Sequence, residues 1–208
     1  MKLDKQNTIK YSDFISNYFY QQIAFYITTL LVKTKITPNN ITILSLLTGL
    51  LSAFSLYMGY LYLAIFLLNI SFIFDCIDGQ IARVKKLHSE FGMWLDNITD
   101  RVVENIILIA MFFALLDNKV FTMGVVLLIF FNMYYAYISD MLIYSNTQGY
   151  KRLTTIEKIL FSPIYFISRS MMIPMLSLFI LYPTYMVWIL VFLYLYGIVF
   201  RVYREVTK

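Results

Sequence analysis

The stretch DCIDGQIARVKKLHSEFGMWLDNITD, residues 75–100, sets two pairs of carboxylates between long apolar runs. Asp75 and Asp78 stand at i, i+3, and Asp96 and Asp100 at i, i+4, so each pair projects from one face of a helix. The flanking runs predict two helices joined by a short connection, antiparallel neighbours that bring the pairs to similar depth. Four carboxylates in so small a volume raise one another's pKa values unless a cation compensates. A hard divalent ion does so, and oxygen-only ligands suit Mg2+ or Mn2+. The competing reading pairs the aspartates with Arg83, Lys86 and Arg101 as ordinary surface salt bridges. An intramembrane carboxylate costs ~2.5–3.5 kcal/mol on insertion scales, so four on facing helices ask for a function.

The rest of the chain makes those helices membrane spans. Of 208 residues, 60% are hydrophobic and 14% charged, against the roughly one quarter charged of a soluble domain. Apolar runs of about twenty residues recur, long enough to cross a ~30 Å hydrocarbon core. The predicted fold is an all-α integral membrane protein of six transmembrane helices, at about 40–58, 61–86, 91–116, 120–144, 159–181 and 184–203. Residues 11–33 mix aromatics with Ser, Asn, Asp and Gln, which predicts an N-terminal amphipathic helix lying in the interface. One domain is expected over residues 1–208. The opening MKLDKQNTIKYSDF contains acids and lacks a short apolar core, so it does not read as a cleavable signal peptide. The single cysteine, Cys76, excludes an intramolecular disulfide.

Basic residues set the orientation. Lys33 and Lys35 precede the first span, Arg83, Lys85 and Lys86 follow the second, and Lys151, Arg152 and Lys158 follow the fourth. The opposite side offers Lys119. By the positive-inside rule both termini and the carboxylate motif face the cytoplasm, as in a multi-pass protein of the inner membrane. The formal charge of +5 thus reflects topology and anionic headgroups; no nucleic-acid partner is expected.

Gly79 and Ala82 leave one face of the second span nearly bare beside the carboxylates, and Gly92 thins the third. Bare helix faces admit close packing or a flat ligand. Arg83 is placed to grip a phosphate there. The stretch resembles the signature of the CDP-alcohol phosphatidyltransferase family, D-x2-D-G-x2-A-R-x8-G-x3-D-x3-D. Asp75, Asp78, Gly79, Ala82, Arg83, Gly92, Asp96 and Asp100 occupy every fixed position. The resemblance implies a pair of Mg2+ or Mn2+ ions held by Asp75, Asp78, Asp96 and Asp100, with Asp100 also the general base. It further implies that Gly79, Arg83, Ser89 and the segment Asn39, Asn40, Ile41, Thr42 contact the CDP moiety, with Ala82 and Gly92 beside them. The implied reaction moves a phosphoalcohol group from a CDP-alcohol donor such as CDP-diacylglycerol to a polar or lipid alcohol acceptor and releases CMP. Membrane lipids and a second copy in a homodimer are the other expected partners.

Weaker signals concern the acceptor. Arg101, Asp140, Lys151, Arg152 and Arg169 are candidates to bind it, and the basic ones favour a phosphorylated polar acceptor. Plain helix polarity explains Arg101, with Glu104 and Asn105, equally well. Arg169 falls inside the apolar fifth span, or else close to the surface if residues 153–167 form an interfacial elbow. His88 reads as a loop histidine without a catalytic part. Two rivals differ in class. An intramembrane prenyltransferase also uses aspartates and magnesium, but its two motifs stand further apart than the twenty residues here. An ion-coupled transporter spreads carboxylates through the membrane depth, often in two related halves. Here they cluster at one end and the halves differ.

Overall fold

The structure, a computed structural model, describes residues 5–9, 16–114, 122–134 and 169–206. These residues are helical with short connections, and two compact units divide at Ala114. The first holds α1 (Lys5–Thr8), a π-helical turn (Ser16–Tyr20) running into α2 (Gln21–Leu31), α3 (Pro38–Tyr57), α4 (Leu61–Lys85) and α5 (Glu90–Ala114). The second holds α6 (Thr122–Tyr134), α7 (Arg169–Leu181) and α8 (Pro183–Val206).

Helix α3 starts where its sequence predicts. Thr37 is extended and its hydroxyl accepts from the Asn40 N–H, while Pro38, which has no N–H to lose, takes the first position. At the other end Gly59, with φ of 83°, turns the chain through a left-handed residue into α4. Both α3 and α4 are long and apolar enough to cross a bilayer.

Small residues on α3 let its neighbours approach. A Cβ on Gly49 would overlap the Val103 methyls of α5. Ser45 donates to the Ser71 carbonyl and Ser71 to the Ser45 carbonyl, both at 2.8 Å, and Ser52 donates to the Ala64 carbonyl at 2.7 Å. Such interhelical bonds average only ~0.6 kcal/mol in membranes, so close packing carries most of the α3–α4 association. On α4's other flank, α2 buries Gln21, Ala24, Phe25 and Thr28, a stripe of helical period. Gln80 donates to the Gln21 carbonyl and side chain at 3.0 and 2.8 Å. Gln21 in turn reaches the Sγ of Cys76 at 3.6 Å, so the cysteine serves packing.

One expectation changes. Helices α4 and α5 do not pack closely as a hairpin; each packs along α3, and direct contact between them is slight. Small residues of α3 let both helices pack on it, Ser45 and Ser52 towards α4 and Gly49 towards α5, and the two converge at Asp75, Asp78 and Asp96. The third predicted span also proves divided in character. α5 carries Glu90, Asp96, Asp100, Arg101 and Glu104, and charge-free sequence begins only at Asn105.

In the second unit, α7 and α8 meet at Pro183, the break expected near Tyr182. Within that unit Tyr194 donates to Asn132 at 3.2 Å with both residues buried. Arg169 opens the described part of α7, and the residues expected to precede it in the fifth span lie outside the described residues. Asp140, Lys151 and Arg152 lie outside the described residues.

Candidate metal and nucleotide site

Three carboxylates meet where α4 ends and α5 begins, on either side of the short connection between them. Oxygens of Asp75, Asp78 and Asp96 lie within 4.8 Å of one another. Asp78 is buried and the other two are half-buried. Three converging anionic oxygens at this spacing are a donor set for a hard divalent ion, so the residues fit Mg2+ or Mn2+. Asp100 stands one turn further along α5, buried at 9% exposure, outside that triangle. Its face of the helix continues into Val103 and Ile107, which are in the core.

Asp78 has a fixed orientation. The Thr42 hydroxyl of α3 donates to its Oδ2 at 2.6 Å, and both residues are buried. The Pro38 carbonyl lies 3.2 Å from the same hydroxyl and competes for its one proton, at the longer distance. Thr42 is thus engaged with a carboxylate, a role that the sequence reading, which had it contact nucleotide, does not contain. Partners that orient metal ligands contribute about 10–100-fold to metal affinity. Thr42→Val is expected to weaken Mn2+ binding to that extent, while Thr42→Ser retains it; calorimetric titration of the purified variants checks both.

A cavity of about 270 Å³ opens beside the triangle. Asp78 and Asp96 form one edge, and Asn39, Thr42, Gly79, Ala82, Arg83, Ser89 and Gly92 line the rest with Pro38, Leu87, His88 and Met93. Its size is near the lower end of small-molecule sites, ~300–1,000 Å³. Of the residues expected at a CDP moiety, Asn40 and Ile41 are not in the lining; Ile41 is buried in the core, and Asn40 is exposed with its N–H spent on the Thr37 cap. His88, assigned no part from sequence, does line the cavity, because the connection between α4 and α5 folds over it.

Local sequence explains the lining. α4 closes at Lys86, which adopts φ of 55°, and the Leu87 N–H returns to the Ala82 carbonyl at 3.0 Å. Ser89 caps α5, accepting from the Gly92 N–H at 3.0 Å. A Cβ on Gly92 would stand 3.0 Å from Ser89 Oγ and 3.2 Å from Asn39 Oδ1, so the missing side chain lets α5 approach α3. Gly92→Val is expected to displace Asn39 and Ser89 together and to lower nucleotide affinity more than thermal stability, as paired binding and melting measurements would read.

Two basic residues prove to be positioned by backbone. Arg83 Nε donates to the Thr8 carbonyl at 2.8 Å. Lys85 Nζ donates to the carbonyls of Thr34 and Ile36 at 2.7 and 2.8 Å, fixing the turn that precedes Thr37. The sequence reading used Lys85 only for topology, since contacts this distant along the chain leave no local signal. Arg101 pairs with buried Glu104 at 2.8 Å, and Asn105 donates to the Arg101 carbonyl at 2.8 Å. That pairing engages part of the guanidinium proposed for the acceptor.

Comparison with known proteins agrees with the geometry. The model of the family described as CDP-alcohol phosphatidyltransferase matches residues 35–200. A bifunctional IPC transferase and DIPP synthase of Thermococcus kodakarensis is 34% identical over 107 residues, 51% of this chain and 24% of that protein. The chain therefore spans about a quarter of the length of that curated relative. An archaetidylinositol phosphate synthase of Pyrococcus horikoshii is 36% identical over 78 residues, covering 38% of this chain and 42% of its own. Among solved structures, a Mycobacterium tuberculosis phosphatidylinositol phosphate synthase with CDP-DAG bound superposes with a TM-score of 0.65 at 18% identity. That superposition covers 88% of this chain and 92% of the other. The same enzyme is known in complex with manganese and citrate.

Proposed function

Because the chain belongs to the CDP-alcohol phosphatidyltransferase family, we propose that it transfers the phosphoalcohol group of CDP-diacylglycerol to a hydroxyl of a polar acceptor and releases CMP. The observation that carries this reading is the carboxylate triangle opening directly onto a nucleotide-sized cavity with Arg83 in its wall. Asp75, Asp78 and Asp96, with Asp100, would hold two magnesium or manganese ions, which would supply charge neutralisation for the diphosphate and the departing CMP. The bare backbone of Gly79 lets the diphosphate come close, and Arg83 holds a phosphate oxygen. Asp100 takes the proton of the acceptor hydroxyl. That oxygen then attacks the phosphorus distal to cytidine in line, and the bond to CMP breaks with its electron pair leaving on CMP. Positioning and charge stabilisation do most of this work, as in phosphoryl transfer generally.

The acceptor proposed is a phosphorylated polyol of the inositol phosphate kind. Two relatives with that chemistry in their names support it. Purified protein with CDP-diacylglycerol and Mn2+ is tested against inositol phosphate, glycerol phosphate, serine and free inositol. CMP release with inositol phosphate well above the others is expected; release with serine alone refutes the choice of acceptor, and consumption of a prenyl diphosphate instead favours the prenyltransferase rival.

We also infer one domain with six spans, an interfacial N-terminal helix, a homodimer, and an inner-membrane setting with termini and site in the cytoplasm. The lysine and arginine distribution supports that orientation. With Cys76 replaced by Ala, a cysteine beside Lys86 is expected to react only with reagents that reach the cytoplasm, and one beside Lys119 only from outside. Reaction of both from one side contradicts six spans in this orientation.

A further inference from the structure

Arg83 is fixed by a group 75 residues away in the chain, the Thr8 carbonyl that accepts from its Nε. Thr8 and Ile9 are 2% and 4% exposed, yet α1 is a single turn, too short to persist by its own hydrogen bonds. Tertiary contacts hold it. α1 packs on α4, Ile9 is buried, and Lys5 donates to Gln22 at 3.0 Å with its ammonium 5.3 Å from the centre of the Phe25 ring. The segment is thus pinned to α2 at one end and to Arg83 at the other.

A guanidinium carries five N–H donors in one rigid plane, so holding Nε fixes the direction of both terminal nitrogens. Among the described residues those nitrogens make no hydrogen bond to protein, and Nη1 lies 3.3 Å from where a Gly79 Cβ would stand, at the cavity wall. We propose that the segment Lys5–Ile9 is a positioning element of the donor site, taking up Arg83 Nε so that both terminal nitrogens address the diphosphate of the CDP-alcohol. The inference rests on the functional reading above and extends it to residues outside the 35–200 that the family model matches. A mere staple would use Arg83 to hold the N-terminus down; a positioning element uses the N-terminus to hold Arg83.

A double-mutant cycle separates the two. Binding of CDP-diacylglycerol in the presence of Mn2+ and without acceptor is measured on full-length wild type, Ile9→Asp, Arg83→Ala and the double variant. Ile9→Asp undocks the segment and is expected to weaken donor binding on the order of tenfold, within the coupling seen for residues in contact. On the Arg83→Ala background the same change is expected to add less than about twofold, because its route is gone. In turnover, Ile9→Asp raises KM for the donor more than it lowers kcat, and Ile9→Val restores wild-type behaviour. Should Ile9→Asp fail to insert, Lys5→Ala unpins the segment from its exposed side, with a smaller loss that again vanishes beside Arg83→Ala. Equal losses with and without Arg83 overturn the positioning role while leaving the function intact. Failure of wild type to bind CDP-diacylglycerol removes the functional reading and this inference with it.

Discussion

Asp78→Asn lowers metal-dependent CMP release by roughly 10³-fold or more, because the charge stabilisation a metal site supplies is worth several kcal/mol at 1.36 kcal/mol per decade. The same is expected of Asp75→Asn and Asp96→Asn, whose carboxylates complete the triangle. Asn preserves side-chain volume and one ligating oxygen, and at position 78 it can still accept from Thr42. Each variant should therefore insert normally and elute like wild type. The loss is expected to be partly recovered by raised Mn2+ in each, since removing one ligand of three weakens the site without abolishing it. Asp78→Asn turning over normally at low metal would remove that residue from the ligand set.

The second large effect falls on Asp100. Its carboxyl is buried one turn beyond Asp96 and outside the triangle, and the family resemblance assigns it the proton of the acceptor hydroxyl. Asp100→Asn is expected to cost ~10²–10⁴-fold in kcat, the contribution of a positioned general base. CDP-diacylglycerol binding should persist, because Asp75, Asp78, Asp96 and Arg83 remain. Turnover and donor binding measured on one preparation decide the role. Near-normal kcat eliminates the residue as base, whereas equal loss of binding and turnover makes it chiefly a metal ligand.

The sequence made the chemistry more legible than the packing. Helical spacing alone placed Asp75 with Asp78 and Asp96 with Asp100, and the bare faces at Gly79, Ala82 and Gly92 marked the cavity. The α3 start was readable because Thr37 and Pro38 act locally. What escaped was long-range. Thr42 lies 36 residues from the carboxylate it orients, Lys85 some fifty from the carbonyls it holds, and Thr8 75 from Arg83. No periodicity records such pairings, because a hydroxyl or a backbone carbonyl has the same local signature whichever helix it meets. The slight α4–α5 contact escaped for a related reason. Short connections suggest adjacent packing, and nothing local shows that α3 takes both helices along its length. The facing of the carboxylates across the connection holds for Asp75, Asp78 and Asp96, while Asp100 stands outside their triangle.

Catalysis by a divalent ion on this carboxylate triangle is tested most directly by stripping the purified enzyme with EDTA and titrating Mn2+ back. CMP release from CDP-diacylglycerol, with inositol phosphate as acceptor, is followed through the titration. The account predicts no release without metal and full recovery on saturation, with Asp78→Asn shifting the titration to higher Mn2+. Undiminished release from the metal-free enzyme would contradict it.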